Sequence, residues 1–589
     1  MNIASTIALL SLAVAPPVAS PFFTIRVIDE VTGRGVPLVE LRTVSGIRLW
    51  TDSAGYAVFD EPGQLGTRVW FGVSSPGYEL TPDGFGIRGR AFDTACGKTG
   101  IITLQRKQIA ERLYRVTGGG IYRDSLLAGQ AIPLREGLLN GQVVGQDSVL
   151  TAVYRGKVHW VWGDTSRPSY PLGNFQVAGA TSLLPGQGGL SPARGVDLTY
   201  FVDAKGFARQ MAPMPGSGPT WITSLFVLPD ERNQERLVAS YIKVKPPLTA
   251  YARGLAVFDD KKGVYEKLAD LTFTAPAHPT GHAIAHEGYL YFAQPYPLTR
   301  VKANLQAVRD ATAYEGYSCL GEDGKVERDA TGKVVYRWRK NTAPIGPVEQ
   351  NQLVRRGLLK EQEGLLQLRD RNTGRRVLAH SGSVYWNAYR QRWVMVAVEA
   401  GGKASYLGEV WYAEAAALTG PWAYAVQVAT HPKYSFYNPK QHPQFDEADG
   451  RVIYLEGTYT HTFSGNDDVT PRYDYNQLMY RLDLGDERLA LPVAVQQGKE
   501  FLGFALDRPV RDSAPFQVGG RTYYALKARE APAVTRPLFE YPPKGDEPRR
   551  LSLDPHLPSR TRTPEPVGHI WPDPWAERGS QPTGRPAPR

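Results

Sequence analysis

Hydrophobic and polar residues alternate in short runs along most of the chain, and Gly, Pro, Asp and Ser separate the runs. A period of two places successive side chains on opposite faces of a strand, so the runs predict half-buried β-strands rather than helices. Four of them, FTIRVID, VPLVELRTV, IRLWTDSAGYAVFD and RVWFGVSS, stand near the start of the chain. They predict a small β-sandwich over residues 22–105.

A looser repeat follows, in which a turn precedes a run of β-branched and aromatic residues. Its members start about 50–100 residues apart and are RGKVHWVWG, QERLVASYIKV, EGYLYFAQP, YRQRWVMVAVE, DGRVIYLEGTYT and GGRTYYALKA. Repeated antiparallel units of this kind close into a β-propeller. We therefore predict an all-β protein, with the sandwich followed by a propeller over residues 143–545. The propeller has five blades, or six if the last run forms a blade of its own.

The remaining segments have weaker patterns. Residues 106–142 predict a connector packed against the propeller. The longest insertion, residues 303–378, contains a predicted helix at PVEQNQLVRRGLLKEQ and is a candidate lid or rim element. Residues 546–589 are rich in Pro and Arg, which predicts a disordered tail. Residues 1–20 include an apolar run and resemble a secretory signal, so we expect a secreted or periplasmic protein.

Composition narrows the choice of partners. The 589 residues include 68 Lys and Arg against 58 Asp and Glu, a formal net charge of +10. The basic residues are spread along the chain without zinc-finger spacing or an RNA-binding aromatic signature, so no nucleic-acid partner is predicted. After residue 20 no stretch is apolar enough to span a membrane, which predicts that this is not an integral membrane protein. The chain has two cysteines, Cys96 and Cys319, which excludes a disulfide framework. We also expect the protein to be a monomer.

One hairpin, GQDSVLTAVYRGKVHWVWGDTS at residues 145–166, suggests chemistry. If it turns at Arg155-Gly156, the constant index sum of antiparallel partners places Asp147 opposite Asp164. Opposed residues lie about 5 Å apart at Cβ, where two like charges destabilise a sheet. Paired carboxylates that push each other's pKa apart are what cleavage of a sugar acetal uses. The alternative is that both aspartates cap turns at the ends of the hairpin.

The strings GQDS and WGDT at the two ends of this hairpin resemble the first blade of a bacterial five-bladed propeller family, formerly of unknown function. That family includes endo-D-arabinofuranosidases and shares its shape with arabinanase-like glycosidases. The resemblance implies that Asp147 and Asp164 are a catalytic pair. It covers about twenty residues, and the following SRPSYPLGNFQVAGATS does not match. The second predicted blade, GPTWITSLFVLP, also lacks the carboxylate that arabinanase-like enzymes carry there.

The predicted sandwich resembles the carboxypeptidase-regulatory or transthyretin-like module. That family has a Thr-Gly-x-x-(Val/Leu)-Pro turn and a Thr-Asp-x-x-Gly-x-Ala hairpin, which match TGRGVP from Thr32 and TDSAGYA from Thr51. Such modules bind or space, so no catalysis is assigned to this one.

Later blades supply further candidates. Glu409 precedes a strand and two aromatic residues and could be a general acid, a rim salt bridge being the alternative. A turn at residues 449–450 places His442 next to Glu456, where it could tune the charge of the carboxyl or bind a substrate hydroxyl. A structural hydrogen bond within the blade is the alternative. The predicted catalytic residues are Asp147, Asp164, Glu409 and Glu456. The predicted substrate-binding residues are His282, His442, Asn387, Trp160, Trp162 and Arg194.

No metal site and no cofactor are predicted. His282 and His286 share a strand face but lie about 13 Å apart, too far for one ion. The string GNDD at 465–468 has calcium-ligand residue types, although a polar loop is the preferred interpretation.

Three functions fit these features. The leading prediction is a secreted glycoside hydrolase-like propeller that acts on a polysaccharide or oligosaccharide through the paired aspartates. The second is a non-catalytic carbohydrate-binding or scaffolding propeller, in which both aspartates point away from the channel. The third is a polysaccharide lyase that uses His282 or His442 with a tyrosine, and it requires a cluster of Arg or Lys in the cleft.

Overall fold

The computed structural model describes residues 20–174, 177–494 and short stretches between 496 and 571. All but the last residue of the predicted signal, residues 1–20, therefore lies outside the described residues. The chain divides into two compact units. The described part of the first unit comprises residues 20–75, 80–105 and 122–132, and the second comprises 76–79, 106–121 and the chain from 133 onward.

The first unit is the expected β-sandwich, with a short helix at Arg123–Leu127. In one sheet Phe23–Asp29 pairs antiparallel with Tyr56–Phe59 and parallel with Thr99–Arg106. The strands of the other sheet are, in order, Arg48–Trp50, Glu40–Thr43, Arg68–Ser74 and Gly89–Asp93. Alternate side chains of the strands are buried, as the period of two predicts.

The second unit is a five-bladed β-propeller, which confirms the predicted fold class. Each blade is a sheet of four or five strands, and the innermost strands of successive blades are neighbours around the channel. From blade one to blade five the innermost strands are Leu150–Tyr154, Thr220–Pro229, His282–His286, Ala379–Asn387 and Ser435–Gln441.

Most outer strands follow the innermost strand of their blade along the chain. Blade one adds Lys157–Trp162, Ala178–Leu183 and Thr199–Tyr200, and blade two adds Glu235–Lys245, Thr249–Asp259 and Val264–Leu271. Blade three adds Tyr289–Ala293, Pro297–Lys302, Glu315–Ser318 and Arg337–Lys340. Blade four adds Arg392–Glu399, Val410–Ala415, Trp422–Ala429 and Leu366–Asp370, and blade five adds Val452–Thr460 and Asn476–Asp483. A small separate sheet holds Gly145–Gln146, Thr165–Arg167 and Tyr170–Asn174.

The ring closes through a strand that precedes blade one in the chain. Glu111–Arg115, within the expected connector, pairs antiparallel with Asn476–Asp483 as the fourth strand of blade five. All five of its residues are buried. The strand covers an edge of blade five that would otherwise be unpaired.

The insertion at 303–378 extends the outer edges of two blades. Glu315–Ser318 and Arg337–Lys340 lengthen blade three, and Leu366–Asp370 pairs with the last strand of blade four. Its helices are Leu305–Arg309 and Pro347–Arg355, the second at the predicted position. Among the described residues, the single-turn 3₁₀ helices are Asn140–Gln142, Ala311–Ala313, Glu361–Glu363, Pro443–Phe445, Ala448–Gly450 and Glu487–Leu489.

The chain beyond the fifth blade forms further small sheets. One contains Val493–Ala494, Tyr524–Leu526, Gly568–Trp571, Arg536–Tyr541 and Arg550–Ser552. Others pair Gln496–Gln497 with Leu502–Gly503 and Ala514–Pro515, and Gln517–Val518 with Arg521–Thr522. The described part of the run GGRTYYALKA therefore lies outside the five blades. Two strands also fall in the expected tail, where Trp571 is buried and its Nε1 donates to the carbonyl of Arg371 at 2.9 Å.

Among the described residues, none of the helices has the length and apolar character that crossing a bilayer requires.

Candidate functional site

The blade-one hairpin has the register that its sequence predicts. Tyr154 pairs with Lys157 next to the turn, and the same index sum is kept at Gln146 and Thr165 in the small sheet beyond. Asp147 and Asp164 lie in the gap between the blade-one sheet and this small sheet, where the strand pairing of the hairpin is interrupted. The amide of Gly163 donates to the carbonyl of Asp147 there at 2.8 Å.

Gly163 explains part of the string WGDT. A Cβ at this position would lie 2.2 Å from Oδ1 of Asp147, so only glycine leaves room for that carboxyl group. Gly163, although it is adjacent to Asp164 in the sequence, therefore makes space for the side chain of Asp147.

A cavity of about 530 Å³ opens where the innermost strands of all five blades meet. Both aspartates line it, as does Trp162 of the same hairpin. The other blades contribute side chains that include Trp221, Thr223, His282, Gln294, His380, Ser381, Tyr406, Tyr437, Asn438 and Phe463.

Asp147 is surrounded by hydrogen-bond donors. The hydroxyl of Tyr437 donates to its Oδ2 at 2.6 Å, and the hydroxyl of Tyr475 and the backbone N–H of Asp164 also bond the carboxyl. Burial raises the pKa of Asp147 above its usual range, and these donors oppose the rise because they stabilise the charged form.

Asp164 has a poorer set of partners. Its Oδ1 accepts a hydrogen bond from Nε1 of Trp221 at 3.2 Å. Burial, together with the charge of Asp147, raises the pKa of Asp164 to about 7, while Trp221 opposes the rise. Because Asp147 has more donors, the negative charge of the pair belongs on Asp147 and the proton on Asp164.

The backbone around the pair is strained. Ser148, Asn438 and Tyr475 adopt left-handed conformations with φ of 54°, 52° and 59°. Nδ2 of Asn438 donates to Oγ of Ser148 at 2.7 Å, which joins blade five to blade one beside Asp147. Strain of this kind is kept where the surroundings fix it, and it concentrates at functional sites.

The predicted neighbours His442 and Glu456 lie together, with Nε2 and Oε2 3.2 Å apart. Both side chains are fully buried, and neither lines the cavity. Burial raises the pKa of Glu456 to about 8 and lowers the pKa of His442 well below its usual value. The two groups are therefore neutral together near pH 7 and form a buried contact behind the cavity.

His282 and Trp162 reach the cavity, whereas Trp160 does not. Burial and the nearby Lys440 lower the pKa of His282 well below its usual value, so its imidazole is neutral. Trp160 stacks on Trp162 at 5.8 Å between ring centroids, and its Nε1 donates to Oγ of Ser182 at 2.9 Å.

Three further predicted residues lie away from the cavity lining. Glu409 is buried, and its Oε1 accepts from the amide of Ala404 at 2.5 Å. Asn387 donates from Nδ2 to the carbonyl of Gly450 at 2.8 Å. Arg194 is exposed in a loop of blade one.

Three residues whose side chains bond the aspartates were not predicted, Trp221, Tyr437 and Tyr475. Trp221 stands in the string TWITSL, where the family resemblance leads one to expect a carboxylate and gives no role to a tryptophan. Tyr437 is 290 positions from Asp147, and only closure of the ring brings them together. No local pattern gives such a contact.

The charge of the cavity differs from that of the whole protein. None of the described residues that line it is Lys or Arg, despite the net charge of +10. In the described parts of the chain there is also no group of three or more His, Cys, Asp or Glu that could hold a metal ion. In the GNDD loop, Oδ1 of Asn466 accepts from the amide of Asp468 at 3.1 Å.

Comparison with known proteins adds solved structures only, because no family model and no curated protein matches the sequence. An exo-beta-1,3-galactanase from Phanerochaete chrysosporium is 10% identical over 78% of this chain and 95% of its own, with a TM-score of 0.32. An alpha-L-arabinanase mutant from Cellvibrio cellulosa is 10% identical over 58% of this chain and 92% of its own, with a TM-score of 0.31. The alpha-L-arabinofuranosidase of Coprinopsis cinerea is 8% identical over 58% and 92%, with a TM-score of 0.31. At these values the similarity carries no argument about the reaction of this chain.

Proposed function

We propose that the protein is a glycoside hydrolase that cleaves an uncharged polysaccharide or oligosaccharide, and that it acts outside the cytoplasm. The observation that carries the proposal is the carboxyl pair, Asp147 and Asp164, in one cavity with unequal hydrogen bonding. Two carboxyl groups whose surroundings separate their protonation states are the parts that glycoside hydrolysis needs.

Asp164 acts as the general acid. It holds a proton up to a pH of about 7 and delivers it to the glycosidic oxygen as the bond from that oxygen to the anomeric carbon breaks. Asp147 is the carboxylate that attacks the anomeric carbon and forms a glycosyl ester. Water then attacks the ester and gives its proton to Asp164, which restores both side chains.

The position of the pair favours retention of configuration. Residues opposed across one hairpin lie close, and retaining enzymes have the shorter carboxyl separation. Proton NMR of the first product formed tests this step, because a retaining enzyme releases the starting anomer.

The lyase alternative is less well supported. A lyase removes a proton next to a uronate carboxylate and needs a cation to neutralise that carboxylate. The described residues that line the cavity include neither Lys nor Arg. His282 lines the cavity, but its buried imidazole is neutral and cannot supply the positive charge. An uncharged glycan suits this cavity better than a uronate polymer.

The carbohydrate-binding alternative predicts that the aspartates cap turns and point away from the channel. Both instead line the cavity, and Asp147 receives the Tyr437 hydroxyl from a different blade. A pure binding site has no need for two carboxyl groups with separated protonation states.

Substitution of the pair tests the proposal on arabinan, β-1,3-galactan, xylan and polygalacturonate, with new reducing ends as the readout. Asp147→Asn and Asp164→Asn each should lower the rate on the polymer cleaved by about 10²–10⁴-fold. Asp230→Asn is the matched control, because Asp230 caps a hairpin turn of blade two by accepting from the amide of Gln234 at 2.9 Å.

Other outcomes would decide against hydrolysis. A wild-type protein that binds a polymer in this panel without releasing reducing ends is a binding propeller. Unsaturated products from polygalacturonate would identify a lyase. Full activity in both aspartate variants would remove the pair from the mechanism.

A further inference from the structure

Two large aromatic side chains that line the cavity are exposed to solvent. Tyr406 is 56% exposed and Phe463 is 62% exposed, and both line the same cavity as Asp147 and Asp164. Tyr406 belongs to a loop of blade four and Phe463 to a loop of blade five. Exposed aromatic rings that border a concave site are typical of ligand contact.

The loop of Tyr406 is held in place from within. The carbonyl of Tyr406 accepts from the amide of Gly401 at 2.9 Å, and Oε1 of the buried Glu409 accepts from the amide of Ala404 at 2.5 Å. The next residue, Leu407, is buried and packs with Tyr437. Glu409 therefore braces the loop that presents Tyr406.

The loop of Phe463 is braced in a similar way. Oδ1 of Asp474 lies 2.9 Å from Nδ1 of His461 and accepts from the amide of His461 at 2.7 Å. Phe463 itself is left-handed, with φ of 65°, which a phenylalanine adopts only when its surroundings fix it. Its ring meets the ring of Tyr437 edge-on, at 5.7 Å between centroids.

These contacts connect the exposed ring to the reacting carboxyl group. Phe463 packs on Tyr437, and the hydroxyl of Tyr437 bonds Oδ2 of Asp147. Tyr437 therefore lies between the exposed ring of Phe463 and the carboxyl group of Asp147.

We infer that Tyr406 and Phe463 form an aromatic subsite for an uncharged sugar ring that neighbours the cleaved bond. The inference rests on the proposed function and extends it to a glycan longer than one residue. A pyranose or furanose ring has an apolar C–H face that packs on an aromatic ring. Neither Lys nor Arg is among the described residues that line the cavity, so the two exposed rings offer such a sugar ring an apolar face rather than an ion pair.

Affinity electrophoresis in gels that contain arabinan, β-1,3-galactan or xylan tests the subsite without relying on catalysis. The protein carries Asp164→Asn throughout, so that the polymer is not consumed. Phe463→Asn removes the ring while asparagine still tolerates the left-handed backbone, and Tyr406→Ser removes the second ring. We expect each to weaken retardation by the polymer about tenfold.

Two exposed aromatic residues outside the cavity lining serve as controls. Tyr389 is 45% exposed and Phe85 is 91% exposed. Tyr389→Ser and Phe85→Asn should be retarded like the parent protein. Equal retardation of the parent, Phe463→Asn and Tyr406→Ser would overturn the subsite, and so would a parent protein that none of the three polymers retards.

The two proposals can fail separately. Loss of retardation in Phe463→Asn with full hydrolysis by Asp147→Asn would leave the subsite standing and remove the catalytic pair. Unchanged retardation in Phe463→Asn with no hydrolysis by Asp147→Asn would do the reverse.

Discussion

At the residue scale, the two aspartates differ in their partners rather than in their chemistry. Asp147 receives hydroxyl and backbone donors, while the bond that Asp164 accepts comes from the indole of Trp221. Burial alone would raise the pKa of both groups, so the donors decide which one holds the charge. An acid and a carboxylate thus arise from one residue type.

Loss of the Trp221 donor and loss of the Tyr437 donor should change different limbs of the pH profile of hydrolysis. Asp164 must be protonated, so kcat/KM falls as the pH rises through about 7. Trp221→Phe removes a donor that stabilises the charged form of Asp164, so its pKa rises and the basic limb moves up by about 0.5–1 pH unit. Tyr437→Phe raises the pKa of Asp147 by the same reasoning and moves the acidic limb up. Profiles of kcat/KM against pH measure both, and a limb that moves down in either variant contradicts the assignment.

Glu456 should make the fold less stable as the pH rises. Its pKa is about 8 in the folded protein against 4.5 as its ordinary value, so only the unfolded chain releases the proton between these pH values. The folded state therefore loses stability from pH 4.5 to 8, by up to about 4 kcal/mol. Glu456→Gln keeps the side chain neutral and should remove this loss.

The check is the Tm of Glu456→Gln and of the wild type at pH 5 and pH 8. We expect the advantage of the variant to grow with pH, whereas substitution of the exposed Glu231 by Gln should give no such trend. An advantage that shrinks toward pH 8 would contradict the argument.

At the element scale, the strand Glu111–Arg115 decides whether the propeller is a closed ring. It pairs with Asn476–Asp483, and Leu113 in its centre is fully buried. Without this strand, Asn476–Asp483 would be the outer edge of blade five and its backbone groups would be unpaired on that side. A segment of five residues thus supplies the closure that the rest of the fifth blade lacks.

Leu113→Ala should therefore cost as much as a core substitution, about 2–4 kcal/mol of unfolding free energy. Leu183→Ala is the matched control, because Leu183 ends a strand of blade one and is 46% exposed. Urea unfolding measures both. If Leu113→Ala costs no more than Leu183→Ala, the segment is a connector and not a structural strand.

At the scale of the whole molecule, the positive charge and the cavity are separate features. The chain carries a net charge of +10, but neither Lys nor Arg is found among the described residues that line the cavity. Long-range attraction acts on charged ligands and is screened by salt, while packing on aromatic rings is not. Binding of the substrate in the proposed hydrolysis should therefore not depend on the positive surface charge of the protein.

Salt dependence tests this separation. Between about 20 and 500 mM NaCl, where the Debye length falls severalfold, kcat/KM on the polymer that is cleaved should change less than about twofold. A fall of tenfold or more would show that the substrate is an anionic polymer bound by the basic surface.

The sequence by itself determined what depends on neighbours along the chain. The period of two predicted the strands, and the turn at Arg155-Gly156 set the hairpin register that opposes Asp147 and Asp164. Both signals are local, because a strand's alternation and a hairpin's index sum require only a few consecutive residues. The all-β class and the candidate carboxyl pair follow from them.

Only the tertiary structure decided which distant residues meet. Ring closure brings Tyr437 to Asp147 across 290 positions and places Glu111–Arg115 beside Asn476–Asp483. It also buries Glu409 within a loop and His442 with Glu456 behind the cavity, roles that their local strings do not distinguish from catalysis. Contacts of this range depend on how the blades pack around the channel, and side-chain burial, which sets each pKa, exists only once that packing is complete.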